Sequence, residues 1–292
     1  MKTFLSIVQH SLRRINKPAP SSLFGTTDQG NLQLIHLMYS VLEDLRQKRV
    51  FPQQKRTYSF ATVSGVSSYQ LPLDYYSLLP GTQWNQDEDL PLTGPVSDAL
   101  FTIYTQGNAA STINFTGRIF GPDENPNSDG GQFELSPTPS SAVSLYFEYI
   151  TRNTLMPKNW AASTAFAAGA YCNSNGNIYQ TTAGGTSGST APTGTGTGNV
   201  SDGGITDWVF FRGPYETLLA DTDLVVFDYD LVSLGLLAKY TQAHGGDWQP
   251  YAAEYESKVE KGASRYYGIR IGSFSRKRNL RRYRVPTTGW SF

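Results

Sequence analysis

The sequence predicts an α+β protein: a four-helix bundle built from both ends of the chain, with a central antiparallel β-sandwich or barrel domain and a small inserted β module. Apolar residues recur at helical spacing near both termini and alternate with polar residues in the middle of the chain. A glycine-, threonine- and serine-rich stretch lies between aromatic residues further on. At 292 residues the chain exceeds one average domain of roughly 100–150 residues. The predicted units are 1–54 and 213–268 (the two halves of the bundle), 55–156 (β domain), 157–212 (inserted module) and 269–292 (basic tail).

Two helices are predicted near the N-terminus. The first runs from Phe4 to Ile15, and Pro18 ends its pattern. The second runs from about Gln29 to Arg49, and Asp28 is its predicted cap. Its apolar stripe consists of Leu34, Ile35, Met38, Val41, Leu42 and Leu45.

Short strands are predicted between residues 55 and 151, because apolar and polar residues alternate there between clusters of glycine, proline and asparagine. The alternation is clearest in Val143–Ile150, which indicates one buried face. Six or seven such strands suggest a small sandwich or barrel. The predicted strands are Tyr58–Thr62, Tyr69–Tyr76 (a strand followed by a turn), Leu100–Tyr104, Ile113–Phe115, Arg118–Phe120, Gln132–Leu135 and Val143–Ile150.

Helices return after the module. Asp223–His244 is apolar on most faces, which predicts the most buried helix, and Gly245–Gly246 ends it. The next helix has Pro250 in its first turn and ends near Gly268. Since neither pair of helices can bury its apolar stripe alone, helices from both ends are expected to pack together.

A net charge of zero conceals a strongly uneven distribution. From Lys261 to Phe292 there are nine basic residues and no acidic residue, out of 24 of each in the whole chain. Residues 1–260 therefore carry 15 basic and 24 acidic residues, so the body is −9 and the tail +9. A basic tail on an acidic body is expected to bind an acidic partner surface or a phosphate backbone.

Several classes of protein do not fit the sequence. The single Cys172 excludes an internal disulfide. The apolar run Phe4–Val8 is too short for a signal peptide, and no stretch approaches the roughly 20 apolar residues of a membrane span, so no membrane partner is expected.

The sequence predicts no enzyme, no catalytic residue, no cofactor and no metal site. His10, His36 and His244 lie far apart on predicted helices, and Cys172 has no histidine near it in sequence. Phosphate-loop, zinc and dinucleotide motifs are missing from the sequence. A pair of catalytic carboxylates that forms only in space stays open as an alternative.

The order of two helices, a β domain, two helices and a basic aromatic tail resembles the head-to-tail adaptor (connector, tail tubular protein A-like) of short-tailed phages. The most similar stretch, Leu34–Tyr76, reads LIHLMYSVLEDLRQKRVFPQQKRTYSFATVSGVSSYQLPLDYY. The resemblance covers roughly residues 1–150 and 214–292. It implies a structural protein of the virion at the head–tail junction, made in the host cytoplasm. The implied partners are the portal protein, the tail nozzle protein, further copies in a dodecameric ring, and genomic DNA passing through the lumen.

The basic tail is the predicted portal-docking segment. Arginine forms paired hydrogen bonds with carboxylates, and arginine and aromatic residues dominate binding hot spots. Contact with DNA phosphates and a solvated, unbound tail are the two alternatives. The predicted docking residues are Arg265, Tyr266, Arg270, Phe274, Arg276, Lys277, Arg278, Arg281, Arg282, Tyr283, Arg284 and Trp290.

The inserted module resembles the short chitin-binding-type carbohydrate modules. Its stretch FAAGAYCNSNGNIYQTTAGGTSGSTAP, closed by a later Asp-Trp pair, follows their pattern. Tyr171, Tyr179 and Trp208 occupy the aromatic positions, so they are possible glycan-binding residues. The alternative is that these aromatic residues form the core of a very small domain. The module also raises two further hypotheses for the whole chain, a carbohydrate-binding tail or fibre component and a glycan hydrolase.

Overall fold

The computed structural model of the protein describes residues 1–48, 50–106, 114–120, 131–195, 198–211 and 213–266. Within these residues the chain is a mixed α+β protein with five α-helices and several antiparallel sheets. None of the described helices is long and apolar enough to cross a membrane. The helices are α1 (Phe4–Arg14), α2 (Gln29–Lys48), α3 (Asp98–Gln106), α4 (Tyr229–Ala243) and α5 (Gln249–Tyr266).

The strands of the described residues are mostly short. They are β1 (Lys55–Ala61), β2 (Ser68–Gln70), β3 (Tyr75–Leu78), β4 (Trp84–Asn85), β5 (Leu90–Pro91), β6 (Thr116–Phe120), β7 (Gln132–Ser136), β8 (Ser144–Thr151), β9 (Leu155–Met156), β10 (Ala165–Phe166), β11 (Tyr171–Ser174), β12 (Asn177–Thr181), β13 (Gly185–Thr186), β14 (Trp208–Phe211) and β15 (Leu224–Val225).

Helix α4 lies at the centre of the main core. Every residue from Leu231 to Ala238 is buried, and α1, α2 and α5 each pack against this helix. The hydroxyl groups of Ser11 in α1 and Ser233 in α4 are hydrogen-bonded at 2.9 Å. The prediction that helices from both ends share one core is confirmed by these contacts. Their arrangement as a regular four-helix bundle stays a prediction.

Side chains cap three of these helices. The Thr3 hydroxyl accepts a hydrogen bond from the Ser6 N–H at α1. The Asp28 carboxylate accepts one from the Asn31 N–H at 2.9 Å, which confirms Asp28 as the cap of α2. Asp228 caps α4 by accepting bonds from the first-turn N–H groups. Each such cap satisfies a helix-end donor that otherwise lacks a partner.

The prediction of a helix from Asp223 is wrong for its first six residues. Leu224–Val225 is instead strand β15, which pairs with β9, and the helix begins only after Asp228. A fully buried apolar run carries no period that separates strand from helix. The β-branched Val225 and Val226 favour the extended form.

Two antiparallel sheets form the β domain. The larger has the strand order β1-β8-β4-β5, with β3 also pairing with β8, and the smaller has the order β2-β7-β6. β1 and β8 place Tyr58 opposite Phe147 and Phe60 opposite Leu145. The two sheets bury one apolar cluster, and the sheets of the described residues do not close into a barrel.

The predicted strand Leu100–Tyr104 is wrong, because these residues belong to helix α3. Ser97 begins the helix by accepting the Phe101 N–H at 2.8 Å with its carbonyl. Phe101 is buried, at 2% exposure, and the Arg118 guanidinium covers its ring at 4.6 Å. The predicted strand at Ile113–Phe115 is not confirmed, since Ile113 lies outside the described residues and Phe115 is coil.

The module leaves and rejoins the main body through a short antiparallel stem. Strand β9 carries the chain out and β15 brings it back, and Leu155, Met156 and Val225 are buried in the helical core. The N-terminus joins the same stem, because the Phe4 N–H donates to the Asp223 carbonyl at 2.8 Å. Beyond the stem, the module contains the sheets β11-β12-β14 and β10-β13.

Candidate docking and binding surfaces

The predicted docking residues fall at and beyond the end of the described chain. Arg265 and Tyr266 form the last turn of α5. The other ten lie outside the described residues: Arg270, Phe274, Arg276, Lys277, Arg278, Arg281, Arg282, Tyr283, Arg284 and Trp290. Portal docking by these residues therefore stays a prediction.

Helix α5 leads the chain to the start of the β domain. The Tyr255 hydroxyl donates to the Asp44 carboxylate at 2.8 Å, and Val259 is buried in the helical core. One turn later, a Cβ placed on Gly262 would lie 3.9 Å from a ring carbon of Phe51. Because Phe51 precedes β1 by only four residues, α5 passes close to the start of the first strand of the β domain at Gly262.

Two of the three predicted glycan-binding residues form the core of the module. Tyr179 and Trp208 are fully buried, together with Phe166, Cys172 and Ile205. The rings of Phe166 and Trp208 meet edge to face at 5.1 Å. Neither Tyr179 nor Trp208 offers an open ring face for stacking on a sugar in this structure. Glycan binding by the module stays a prediction.

Tyr171, the third of these residues, lies at the joint between the module and the main body. Its ring meets Phe211 at 5.1 Å and Tyr215 at 5.5 Å, both edge to face. Tyr215 is anchored in the body, since its N–H donates to Asn153 at 2.6 Å and its hydroxyl to Asp223 at 3.0 Å. The half-buried Tyr171 thus fixes the module to the body.

A buried carboxylate, which the sequence did not single out, organises the module. Asp202 is fully buried and accepts five hydrogen bonds of 2.7–3.0 Å. Both indole N–H groups of the module, from Trp160 and Trp208, bond to one oxygen. Three backbone N–H groups bond to the other oxygen, those of Gly188, Gly204 and Ile205.

These five donors stabilise the charged form of Asp202. Burial by itself would raise the pKa of this carboxyl, but the hydrogen bonds outweigh burial and lower the pKa to about 2. The glycines around Asp202 permit close backbone approach. A Cβ on Gly188 would lie 2.1 Å from the Asp202 carbonyl oxygen, and one on Gly204 would lie 2.3 Å from the carbonyl of Thr186. Much of the low-complexity stretch is thereby folded around one side chain.

The aspartate of the Asp-Trp pair has a similar structural role. Asp207 accepts hydrogen bonds from the Thr181 hydroxyl, from the Thr182 N–H and hydroxyl, and from the Ala183 N–H. These bonds lower the pKa of Asp207 well below its usual range. In the Asp207–Trp208 pair, which follows the pattern of the carbohydrate modules, Asp207 therefore stabilises the turn at Thr182 and Ala183, and Trp208 belongs to the core of the module.

A cleft of about 680 Å³ separates the β domain from the module. Tyr58, Phe60 and Tyr69 line the β-domain wall, and Asn177 and Phe210 line the module wall. Tyr58 and Phe60 are stacked at 5.4 Å, and Phe60 meets Tyr69 at 4.9 Å. The volume lies within the range of roughly 300–1,000 Å³ that is usual for binding sites.

A half-buried carboxylate, Asp74, lines this cleft. Asp74 accepts hydrogen bonds from the Tyr149 hydroxyl at 2.8 Å and the Thr151 hydroxyl at 2.6 Å. Burial raises the pKa of Asp74, although both hydrogen bonds and the charge of Arg56 oppose the rise. Burial also lowers the pKa of Arg56. The charges of Asp74 and Arg56 are opposite and offset each other in the cleft.

Three of the residues considered for catalysis, His10, His244 and Cys172, pack against neighbouring side chains. The His10 ring packs against Tyr229 at 4.9 Å, and the His244 ring stacks on Tyr240 at 4.1 Å. Burial raises the pKa of the Cys172 thiol to about 12, which leaves almost no thiolate near neutral pH. Across the described residues, histidine, cysteine and acidic side chains form no group of three or more that could hold a metal ion.

Comparison with known proteins gave one family. The sequence model of the SU10 adaptor protein family matches residues 2–173, which is more than half of the 292-residue chain. The match spans α1, α2 and the β domain and ends inside the module. The comparison with curated proteins gave no match.

Proposed function

The chain belongs to the SU10 adaptor protein family, which makes it a phage adaptor and a structural protein of the virion, and we propose that it joins the portal to the tail nozzle. The observation that carries the proposal is the family match over the N-terminal helices and the β domain. Copies of the chain would form a ring beneath the portal, in which one contact repeats until the rotation closes. Genomic DNA would pass through the lumen of this ring.

Docking to the portal is assigned to the C-terminal tail. The tail carries nine basic residues and no acid, whereas residues 1–260 have a net charge of −9. A guanidinium group binds a carboxylate through two parallel hydrogen bonds, and tyrosine and tryptophan supply buried contact area. An acidic body suits a DNA channel, since like charges keep the phosphate backbone from adhering to the wall.

Each part of the chain would make a different contact in the particle. The helices would contact neighbouring copies and the portal, and the β domain would face the nozzle. The module would project outward, because the chain leaves the body at β9 and returns at the adjacent β15. Insertions at such surface positions are tolerated where they leave the core undisturbed.

Binding to purified portal rings tests the docking step. A full-length variant with Arg276, Arg278, Arg281, Arg282 and Arg284 changed to glutamine is compared with wild type and with a variant changed to lysine at the same positions. The glutamine variant should lose at least about tenfold in affinity, because charged hydrogen bonds contribute about 1.5–3 kcal/mol each. The lysine variant should recover only part of the loss, since lysine lacks the paired donors.

The outcome also separates a portal partner from a DNA partner. If the glutamine variant bound portal at full strength, docking through the tail would be wrong. Full-strength portal binding combined with lost DNA binding would assign the tail to phosphate contact instead. Electron microscopy of the particle tests the position, with a ring of adjacent copies beneath the portal as the expected result.

A further inference from the structure

One edge of the larger β sheet is open. In the described part of the chain, β1 pairs with β8 on one side and with no strand on the other. The six consecutive residues from Arg56 to Ala61 all line the cleft between the β domain and the module. An open strand edge presents a row of backbone donors and acceptors to any extended peptide that can reach it.

The pairing register shows which residues of β1 face the cleft. The Thr62 N–H donates to the Val143 carbonyl at 2.9 Å, and the register continues without a break from Thr62 into β1. In an antiparallel pair, residues that exchange hydrogen bonds alternate with residues that do not. The even-numbered residues of β1 therefore bond to β8. The backbone groups of Thr57, Ser59 and Ala61 point the other way, and they make no hydrogen bond with the described residues on that side.

The cleft can also accommodate side chains. Half-buried Tyr58 and Phe60 on β1 and Tyr69 on β2 form an aromatic strip beside the open edge. Among the described residues that line the cleft, Arg56 is the one cation and Asp74 the one anion. A strand with apolar side chains on one face and few charges matches this surface.

The sequence just after α5 has this character. Tyr267, Ile269 and Ile271 alternate with Gly268, Arg270 and Gly272, and the run contains a single charge. Strict alternation that includes β-branched and aromatic residues is typical of a strand with one buried face. Arg270 would lie on the opposite face from the three apolar residues.

The run also begins near the open edge. Helix α5 passes Phe51 at Gly262, one turn before the run starts, and Phe51 is four residues before β1. Tyr266, the last residue of α5, follows Gly262 by four residues, roughly 6 Å along the helix axis. The six residues of the run span roughly 20 Å when extended, close to the roughly 23 Å of the seven residues of β1. The edge is thus within reach of this run.

We infer that residues 267–272 add to the open edge of β1 as an extra strand, with Tyr267, Ile269 and Ile271 against the aromatic strip. The run comes from the same chain, because α5 brings it to Phe51 just before β1. It leaves the arginine-rich remainder of the tail beyond Phe274 free for other contacts. This inference goes beyond portal docking and holds for the isolated protein.

Amide hydrogen exchange of the full-length protein at single-residue resolution tests the inference. The amides of Thr57, Ser59 and Ala61 should exchange at least about tenfold more slowly than their intrinsic rates, because each gains a backbone acceptor. In a full-length variant with Ile269→Asp and Ile271→Asp this protection should disappear. The amides that bond to β8, such as that of Phe60, should stay protected in both proteins.

Two control variants make the result specific. Leu280→Asp with Val285→Asp places the same two charges in the tail outside the run and should keep the protection at Thr57 and Ala61. Ser59→Pro removes only an outward N–H group, which edge strands tolerate, and it should expose Thr57 and Ala61 while β1 stays paired with β8.

Three results would overturn the inference. They are fast exchange at Thr57, Ser59 and Ala61 in wild type, protection that survives Ile269→Asp with Ile271→Asp, and protection that both aspartate pairs abolish equally. Protection independent of protein concentration is expected for a strand from the same chain, and protection that rises with concentration is a fourth result that would overturn the inference. Since no portal is present, this experiment and the portal-binding experiment can fail independently.

Discussion

The buried carboxylate of Asp202 offers the most direct test of how the module is held together. The change Asp202→Asn keeps the shape of the side chain but removes its charge and one acceptor oxygen. The introduced amide group would point donor hydrogens at N–H groups that are themselves donors. Either the two indole N–H groups or the three backbone N–H groups therefore lose their acceptor in the core of the module.

The size of the effect follows from the contacts of Asp202. The pKa of the carboxyl falls from its ordinary value of 3.8 to about 2 in the folded chain. At about 1.4 kcal/mol for each pKa unit, this difference amounts to roughly 2–3 kcal/mol of stabilisation in the charged form. Stranded buried donors cost a further ~1–3 kcal/mol. We expect Asp202→Asn to destabilise the module by about 3–6 kcal/mol.

Denaturant titration with residue-resolved amide exchange measures this loss locally. The amides of β11, β12 and β14 report on the module, and those of α4 report on the helical core. The control is Asp89→Asn, which makes the same chemical change at an exposed turn with a positive φ that asparagine tolerates. Equal exchange in the module for Asp202→Asn, Asp89→Asn and wild type would refute the role given to Asp202.

The pH dependence gives the same test without mutation. Because the folded pKa of Asp202 lies below its unfolded value, the stabilisation is fully present above about pH 4. It is lost progressively as the pH falls from about 4 towards 2. Wild-type module amides should lose protection across this range, whereas Asp202→Asn should show a weaker dependence on pH there.

Three further results are expected. Gly235→Ala should lower stability by about 1–3 kcal/mol in thermal melts, because its Cβ would lie 2.6 Å from Val41. Gly262→Ala, whose Cβ has no contact closer than 3.9 Å, should raise stability by up to about 1 kcal/mol. Equal melting temperatures for the two variants would contradict the close contact of α4 with α2 at Gly235. Cys172 should resist alkylation at pH 8 in the native protein and react in Asp202→Asn, and rapid native labelling would contradict its burial. Trp160→Phe removes one donor to Asp202 and should cost the module about 1–2 kcal/mol by denaturant titration, and an unchanged midpoint would contradict that contact.

The long helices were predictable because their apolar periods extend over several turns. Helix α2 lies within one residue of its prediction at the described end, and Asp28 caps it as expected. Short apolar runs were not predictable in the same way. Leu100–Tyr104 is too short to show a period, and its helix depends on Ser97 and on the contact of Phe101 with Arg118. The two-residue strands β4 and β5 carry no alternation at all.

The role of Asp202 was hidden for a different reason. Its donors come from five positions spread between residues 160 and 208, and their convergence exists only in the folded module. An aspartate beside two glycines indicates a turn in any sequence. The open edge of β1 is equally invisible, since an edge is defined by the order of strands in the sheet.

The structure changes how the inserted module should be understood. A module joined only by its two connecting strands would be free to swing, as linked domains usually are. Here the stem is buried in the helical core, Ile178 of the module belongs to the same buried cluster as α4, and Tyr171 packs on the anchored Tyr215. Movement of the module would expose these apolar contacts to water, at about 25 cal/mol for each Å². The module is therefore held at a fixed position, and the cleft beside β1 keeps two defined walls into which an extended segment can fit.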